Sequence, residues 1–242
     1  MEVIEDLQYK GYQILQRTDG FKFGVDAVLA TYYAQQEIKH GQKVLELGSG
    51  TGIIPILLAA RTCNTHITGL EIQEDMADMA RRSVARNHLE DRVSILTADI
   101  ANCPVELVPK GVFHHVVTNP PYQKKGSGIQ NPTDSKAIAR HEIFCTLEDV
   151  IALAARSLTE GGVFTMVHRP DRLCDIMNVM RQYRIEPKTL RMVHPTPDKA
   201  PSMLLIRGTK GGNPYMKVEA PLYIFDNTGS ESKELQQIYN RD

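Results

Sequence analysis

Residues 43–53 read Lys-Val-Leu-Glu-Leu-Gly-Ser-Gly-Thr-Gly-Ile, and this stretch decides the fold. Residues 43–47 are a short run of leucine and valine, the composition of a buried strand. The run ends in Gly48, Gly50 and Gly52, and residues 53–61 follow with helical character. A strand that passes through a glycine-rich turn into a helix opens a doubly wound α/β sheet. Working outward, strands and helices alternate. Residues 65–72, 93–98, 113–118 and 163–168 read as strands. Residues 75–87 have helical spacing, with Met76, Met79, Ala80 and Val84 on one face. Residues 147–158 read as a helix closed by Gly161-Gly162, and 170–183 as a helix with proline in its first turn. Residues 188–194 and 203–208 have no helical crossover between them, which predicts an antiparallel pair at one edge. Residues 217–225 are one more strand or an extended stretch.

The glycine turn departs from the dinucleotide fingerprint. Its third glycine arrives one residue early, at Gly52, and Ile53 stands where the fingerprint needs glycine. Glu46 precedes the turn, where a carboxylate repels a pyrophosphate and attracts a cationic amino-acid group. S-adenosylmethionine carries an ammonium and a sulfonium and no phosphate. Glu71, 19 residues after Gly52, ends the second strand, where such folds place the acid that accepts from a ribose diol. Asp99 ends the third strand, within reach of an adenine amino group. Three acids at the carboxyl ends of successive strands line one crevice. Gly48, Gly50, Thr51 and Gly52, with Ile72 and Ile100 beside the two downstream acids and Asn119 after the fourth strand, complete the expected cofactor contacts.

The fourth strand ends in Asn119-Pro120-Pro121-Tyr122. The two prolines remove two donors and hold the backbone extended, which leaves the Pro120 carbonyl outside any helix or ladder. The Asn119 amide oxygen and this carbonyl both accept from one NH2 group. An aromatic amine is a poor nucleophile because its lone pair is delocalised, and two acceptors pulling on its hydrogens localise that pair. Tyr122 offers a ring on which a base stacks, typically for about 1–3 kcal/mol.

Together the glycine turn, Glu71, Asp99 and Asn119-Pro120-Pro121-Tyr122 resemble the class I methyltransferases that act on amino nitrogens, over about residues 20–168. The resemblance implies a Rossmann-like α/β domain with a mostly parallel, doubly wound sheet. Such families include adenine-N6 and guanine-N2 enzymes acting on nucleic acid, and glutamine methyltransferases acting on release factors. Residues 16–30, Gln-Arg-Thr-Asp-Gly-Phe-Lys-Phe-Gly-Val-Asp-Ala-Val-Leu-Ala, are similar to the start of the tRNA1(Val) adenine-37 N6-methyltransferase family. That family implies that a segment of about residues 1–40 covers the cofactor, with Phe23 and Asp26 near its methionine end. It also implies that the loop after Tyr122, with Lys124, Lys125 and Ala139-Arg140-His141-Glu142, grips RNA. Arg140 reads as a phosphate contact, and Arg169 as another or as a cap on the sheet. A general-base role for His141 is not needed, because the methylated nitrogen sheds its proton to water.

The totals agree. The 242 residues are 42% hydrophobic, enough for one large domain with a sizeable core. Net charge is −1, yet residues 124–217 hold 15 Lys and Arg against 9 Asp and Glu, a basic segment suited to a polyanion. No apolar run of membrane-spanning length and no signal-peptide pattern occur, so a cytoplasmic protein is expected, and a monomer. The four cysteines form no C-x-x-C pair and read as buried free thiols, and the eight histidines show no zinc spacing. Residues 226–242 read as a flexible polar tail, frayed or helical. A protein glutamine methyltransferase, a catalytically silent RNA-binding module and a nicotinamide oxidoreductase are the other readings. The basic loop weighs against the first, intact Asn119 against the second and Glu46 against the third.

Overall fold

The computed structural model describes residues 1–18, 24–120 and 145–241. The central sheet forms from β3 (Lys43–Leu47), β4 (His66–Glu71), β5 (Val93–Thr97), β6 (Phe113–Thr118), β7 (Leu158–His168), β8 (Ile185–His194) and β9 (Met203–Lys210), with short β10 (Lys217–Val218) and β11 (Leu222–Tyr223) along one edge. Their order is β10-β8-β9-β7-β6-β3-β4-β5, and β11 also pairs with β8. β3, β4, β5, β6 and β7 are parallel neighbours, whereas β9 runs antiparallel to both β7 and β8. The chain moves from β3 to β4 on one side and later returns to place β6 on the other. The crevice between them is a topological switch point, where open sheets bind ligands.

Helices α1 (Val25–Gln35), α2 (Ile53–Arg61) and α3 (Glu74–Arg86) cover one face, and α4 (Leu147–Ser157) and α5 (Leu173–Gln182) the other. Strand alternation divides the core between them. Val44, Ile67 and Val117 join the α1–α3 cluster, and Leu45, Leu47, Leu70 and Val116 join the α4–α5 cluster. α3 forms because Ala77, Met79, Ala80 and Val84 give it one buried face, and Glu74 and Asp75 suit the positive end of its dipole. α4 starts at a capping box in which Thr146 Oγ1 accepts from Asp149 N and Asp149 Oδ2 accepts from Thr146 N.

Several boundaries differ from the sequence reading. Gly161-Gly162 lies inside β7 rather than closing α4. β7 spends six residues, Leu158 to Val163, against Phe113 to His115 of β6, and the bulge needs a left-handed residue, Gly161 with φ +76°. β8 begins at Ile185, before Pro187, because the register slips between Pro187 and Thr189 and the missing donor falls at that irregularity. Residues 170–172 form a 3-10 turn ahead of α5.

Two elements carried no clear sequence signal. β1 (Glu2–Asp6) and β2 (Gln13–Arg17) form an antiparallel hairpin laid on α3. Arg82 pairs with both carboxylate oxygens of Glu2, Leu15 N donates to Ser83 Oγ, and Leu7 and Ile14 enter the core. At the other terminus, the tail read as flexible carries α6 (Lys233–Ile238). Its Leu235 and Ile238 are buried, and Arg61 donates to the Ile238 carbonyl.

Candidate active site

The glycine turn is a set of left-handed glycines, with φ of +82°, +52° and +89° at Gly48, Gly50 and Gly52. At Gly48 and Gly50 a Cβ would stand in open space, so the turn presents bare backbone to whatever occupies the crevice. At Gly52 a Cβ would lie 3.1 Å from that of Ala80, so this glycine serves the packing of the turn on α3. Glu71 holds the turn: its Oε2 accepts from Gly50 N at 2.8 Å and its Oε1 from Gln73 N at 2.9 Å. Asp99 is tied down in the same way, accepting from Ala101 N and from the Asn102 amide.

Beyond the carboxyl ends of β3, β4, β5 and β6 opens a cleft. Gly48, Glu71, Ile72, Asp99, Ile100 and Pro120 are all in its wall, so the structure gathers these six expected site residues in one place. Leu47, Leu70, Thr118, Cys145 and Val150 complete the lining. Sequence reasoning did not single these out, because Leu47 and Leu70 at strand ends and Val150 in a helix look the same whether they meet a ligand or the core. The wall carries two carboxylates and no Lys or Arg among the described residues, an arrangement for a cation or a diol and not for a phosphate. The Cys145 thiol is pushed up to about 11 by burial and by the charges of Asp149, Asp99 and Glu71, so it is a poor nucleophile.

Glu46 does not line this cleft. It faces the α1–α3 side, 1% exposed, beside Ser49. Burial pushes its carboxyl up to about 8; the nearby Ser49 hydroxyl lowers it and the Glu71 charge raises it further. Neither Glu46 Oε2 nor Ser49 Oγ completes a hydrogen bond of normal geometry. Gly69, opposite Glu46 in the sheet, makes room for that serine, since a Cβ there would come within 2.4 Å of Ser49 Oγ. Thr51 is buried at the head of α2.

Asn119 follows β6 on the α1 side, and its Nδ2 donates to Asp26 Oδ2 at 3.0 Å. Asp26 is 8% exposed in the first turn of α1, and its Oδ1 accepts from Ala27 N at 2.9 Å. Phe23, Pro121, Tyr122, Lys124, Lys125, Arg140 and His141 lie outside the described residues.

The basic segment looks different in three dimensions. Arg181 pairs with Glu186, Arg191 with Glu234, Arg172 with Asp175, and buried Arg207 with Glu37 and Glu219. Arg156, Lys188 and Lys210 donate to backbone carbonyls. Most of its described cations are thus engaged within the fold. Arg169, at the crevice end of β7, is exposed. All four cysteines are free, but only Cys103 is buried; Cys63 and Cys174 are exposed. Among the described residues no helix is long and apolar enough to cross a membrane, and no cluster of His, Cys, Asp or Glu suits a metal ion.

The family model of the methyltransferase small domain matches residues 20–184. A tRNA1(Val) (adenine(37)-N6)-methyltransferase of Porphyromonas gingivalis is 32% identical over 200 residues, covering 81% of this chain and 78% of that protein. A protein of the same name from Bacteroides thetaiotaomicron is 27% identical over 234 residues, covering 96% of this chain and 95% of its own length. Among solved structures, a predicted O-methyltransferase from Agrobacterium tumefaciens superposes with a TM-score of 0.73 at 24% identity, over 89% of this chain and 96% of that one, a likeness of fold. The model match spans well over half of the sequence, and the chain belongs to the methyltransferase small-domain family.

Proposed function

We propose that this methyltransferase transfers a methyl group from S-adenosylmethionine to N6 of adenine 37 in a valine tRNA. The observation that carries the reading is the cleft itself, lined by carboxylates and by no described cation, which ends at Pro120 beside Asn119. The names of the relatives from Porphyromonas gingivalis and Bacteroides thetaiotaomicron support the choice of acceptor.

The residues present suit the cofactor. Open space over Gly48 and Gly50 admits a ligand against the backbone, and Glu71 and Asp99 offer acceptors to hydroxyl and amino groups. Glu46, buried behind the turn with an unpartnered oxygen and its carboxyl raised to about 8, is neutral in the empty site and would become a counter-charge only as an ammonium approached. When bound, S-adenosylmethionine supplies a methyl group already activated on a sulfonium. The protein then has to bind, orient and exclude water. The Asn119 amide oxygen and the Pro120 carbonyl accept from the adenine NH2 and aim its lone pair. With the methyl donor bound, the nitrogen so aimed would take the methyl group, the C–S pair would go to sulfur, and the nitrogen would release its extra proton to water. Positioning of this kind supplies several kcal/mol of barrier reduction, roughly 7 or more in favourable cases. The adenine leaves its stack to reach the site, where Tyr122 is the expected ring for it to stack on, and Phe23 is the expected neighbour of the cofactor's methionine end. The segment 1–40 closes over the cofactor, Lys124, Lys125, Arg140 and Arg169 meet phosphate, and the 242 residues act as one cytoplasmic, monomeric unit.

Transfer of labelled methyl to tRNA lacking its own modifications, followed by digestion to nucleosides, tests the reading. N6-methyladenosine is the expected product. Labelled N2-methylguanosine, or label on a release-factor glutamine with none on RNA, overturns it. Asn119→Ala should keep cofactor affinity and lower turnover about 100- to 1000-fold, the usual cost of a lost transition-state partner. Unchanged turnover would remove Asn119 from the chemistry.

A further inference from the structure

We infer that Asp26 is a positioning residue for methyl transfer, acting through Asn119 rather than on the cofactor. The inference rests on the reading of Asn119 as an acceptor for the substrate amine, and it adds what holds that acceptor in place.

Alternation along β6 turns Val117 towards the α1 face and Val116 towards the α4 face, so Asn119 falls on the α1 side. There it meets the first turn of α1, 93 residues away in sequence, and Nδ2 donates to Asp26 Oδ2 at 3.0 Å. An amide side chain has two ends that differ as donor and acceptor, and rotation by half a turn exchanges them. A carboxylate only accepts. Asp26 therefore takes the NH2 end and turns the Oδ1 end away, the orientation that an incoming amine requires. The charge behind the amide also polarises it, drawing electron density towards Oδ1 and strengthening it as an acceptor. As methylation makes the amine nitrogen cationic, this strengthening is greatest in the transition state.

The carboxylate is itself fixed. Asp26 Oδ1 accepts from Ala27 N, and the positive end of the α1 dipole favours its charge. Gly24 keeps the room it needs. Its φ of −104° is open to any residue, but a Cβ would stand 2.7 Å from Asp26 Oδ1. The glycine before α1 is thus required by the aspartate's space and not by backbone strain.

A charge exchange in the full-length protein tests this. Asn119→Asp sets two carboxylates against each other at the 3.0 Å contact and should lower the single-turnover rate at saturating cofactor and tRNA. Adding Asp26→Asn restores one donor and one acceptor across the contact, and should recover the rate about 10-fold or more, the value of one charge-assisted hydrogen bond. Asp26→Ala should lower the same rate about 10- to 100-fold, leave the S-adenosylmethionine dissociation constant within about twofold, and shift the Asn119 side-chain NH2 resonances of the cofactor-free protein. A double variant no faster than Asn119→Asp alone would overturn the inference. So would an Asp26→Ala protein whose affinity for the cofactor falls while its saturated rate is unchanged, since Asp26 would then be a cofactor contact. If the wild type methylates glutamine and not RNA, the reading of the substrate fails, yet the same variants on that acceptor still decide the role of Asp26.

Discussion

The crevice end of β3–β6 and the flank of β7–β9 are both rich in charge, and they use it in opposite ways. At the crevice, Glu71 and Asp99 are pinned by backbone and amide donors while still lining the cleft, and Glu46 is buried with an oxygen unsatisfied. At the flank, Arg207, Arg191 and Arg181 are closed off by Glu37, Glu219, Glu234 and Glu186. Acids held by backbone donors yet still facing a cleft without cations mark a binding site; cations closed off by carboxylates hold a fold together. The composition of residues 124–217 does not separate the two, because the carboxylates that neutralise Arg191 and Arg207 come from outside that window.

The largest effect that would break this contrast is at Glu46. Its carboxyl is raised from 4.5 to about 8, so between those values the folded protein holds a proton that the unfolded chain has lost. The contribution of this group to stability is therefore full below about pH 4.5 and is lost as pH rises to 8. The total is about 5 kcal/mol at about 1.4 kcal/mol per pH unit. Glu46→Gln should remove that slope in urea titrations of the cofactor-free protein. A slope that survives the substitution would show that Glu46 is not the strained group.

Next is Arg207, 7% exposed, stacked on Tyr33 and bonded to Thr189. Arg207→Ala should cost about 3 kcal/mol of unfolding free energy, by stranding buried partners, with tRNA affinity of the folded protein unchanged. Lost tRNA affinity at full stability would move this arginine from the fold to the interface. Glu71→Ala should then raise the cofactor dissociation constant about 10- to 100-fold, in line with a lost charged hydrogen-bond partner. Part of that loss should come from the freed Gly50 turn, visible as faster amide exchange there. An unchanged constant would mean that another acid holds the ligand. The smallest effect is at exposed Arg169: Arg169→Ala should reduce the salt slope of tRNA binding by about 1. An identical slope would place all phosphate contacts elsewhere.

The parallel half of the sheet was legible because its signals are local. A β-branched or leucine-rich run, a glycine turn and a 3.6-residue apolar stripe each need only a short window. The antiparallel β8–β9 pair was legible for the same reason, from the missing crossover. The β1–β2 hairpin was not, since its two five-residue strands carry no clean apolar alternation and the face that Ile14 buries is completed by α3. The bulge at Gly161 was mistaken for a helix stop, because a left-handed glycine serves both equally well. Of the candidate site, the order of Gly48, Glu71, Asp99 and Pro120 at successive strand ends was readable, and the cleft collects them.

By itself the sequence determined which strands run parallel, where the chain turns over bare glycine backbone, and which acids and amide stand at the carboxyl ends. These follow from spacing, which the chain carries wherever it folds. Only the tertiary structure decided that Asp26 meets Asn119, that Glu46 lies behind the glycine turn, and that the arginines of the flank are already paired. Those facts depend on which face of one element packs on which face of another. A contact between residues 93 positions apart leaves no mark in either local window, since it exists only once burial of both faces has brought them together.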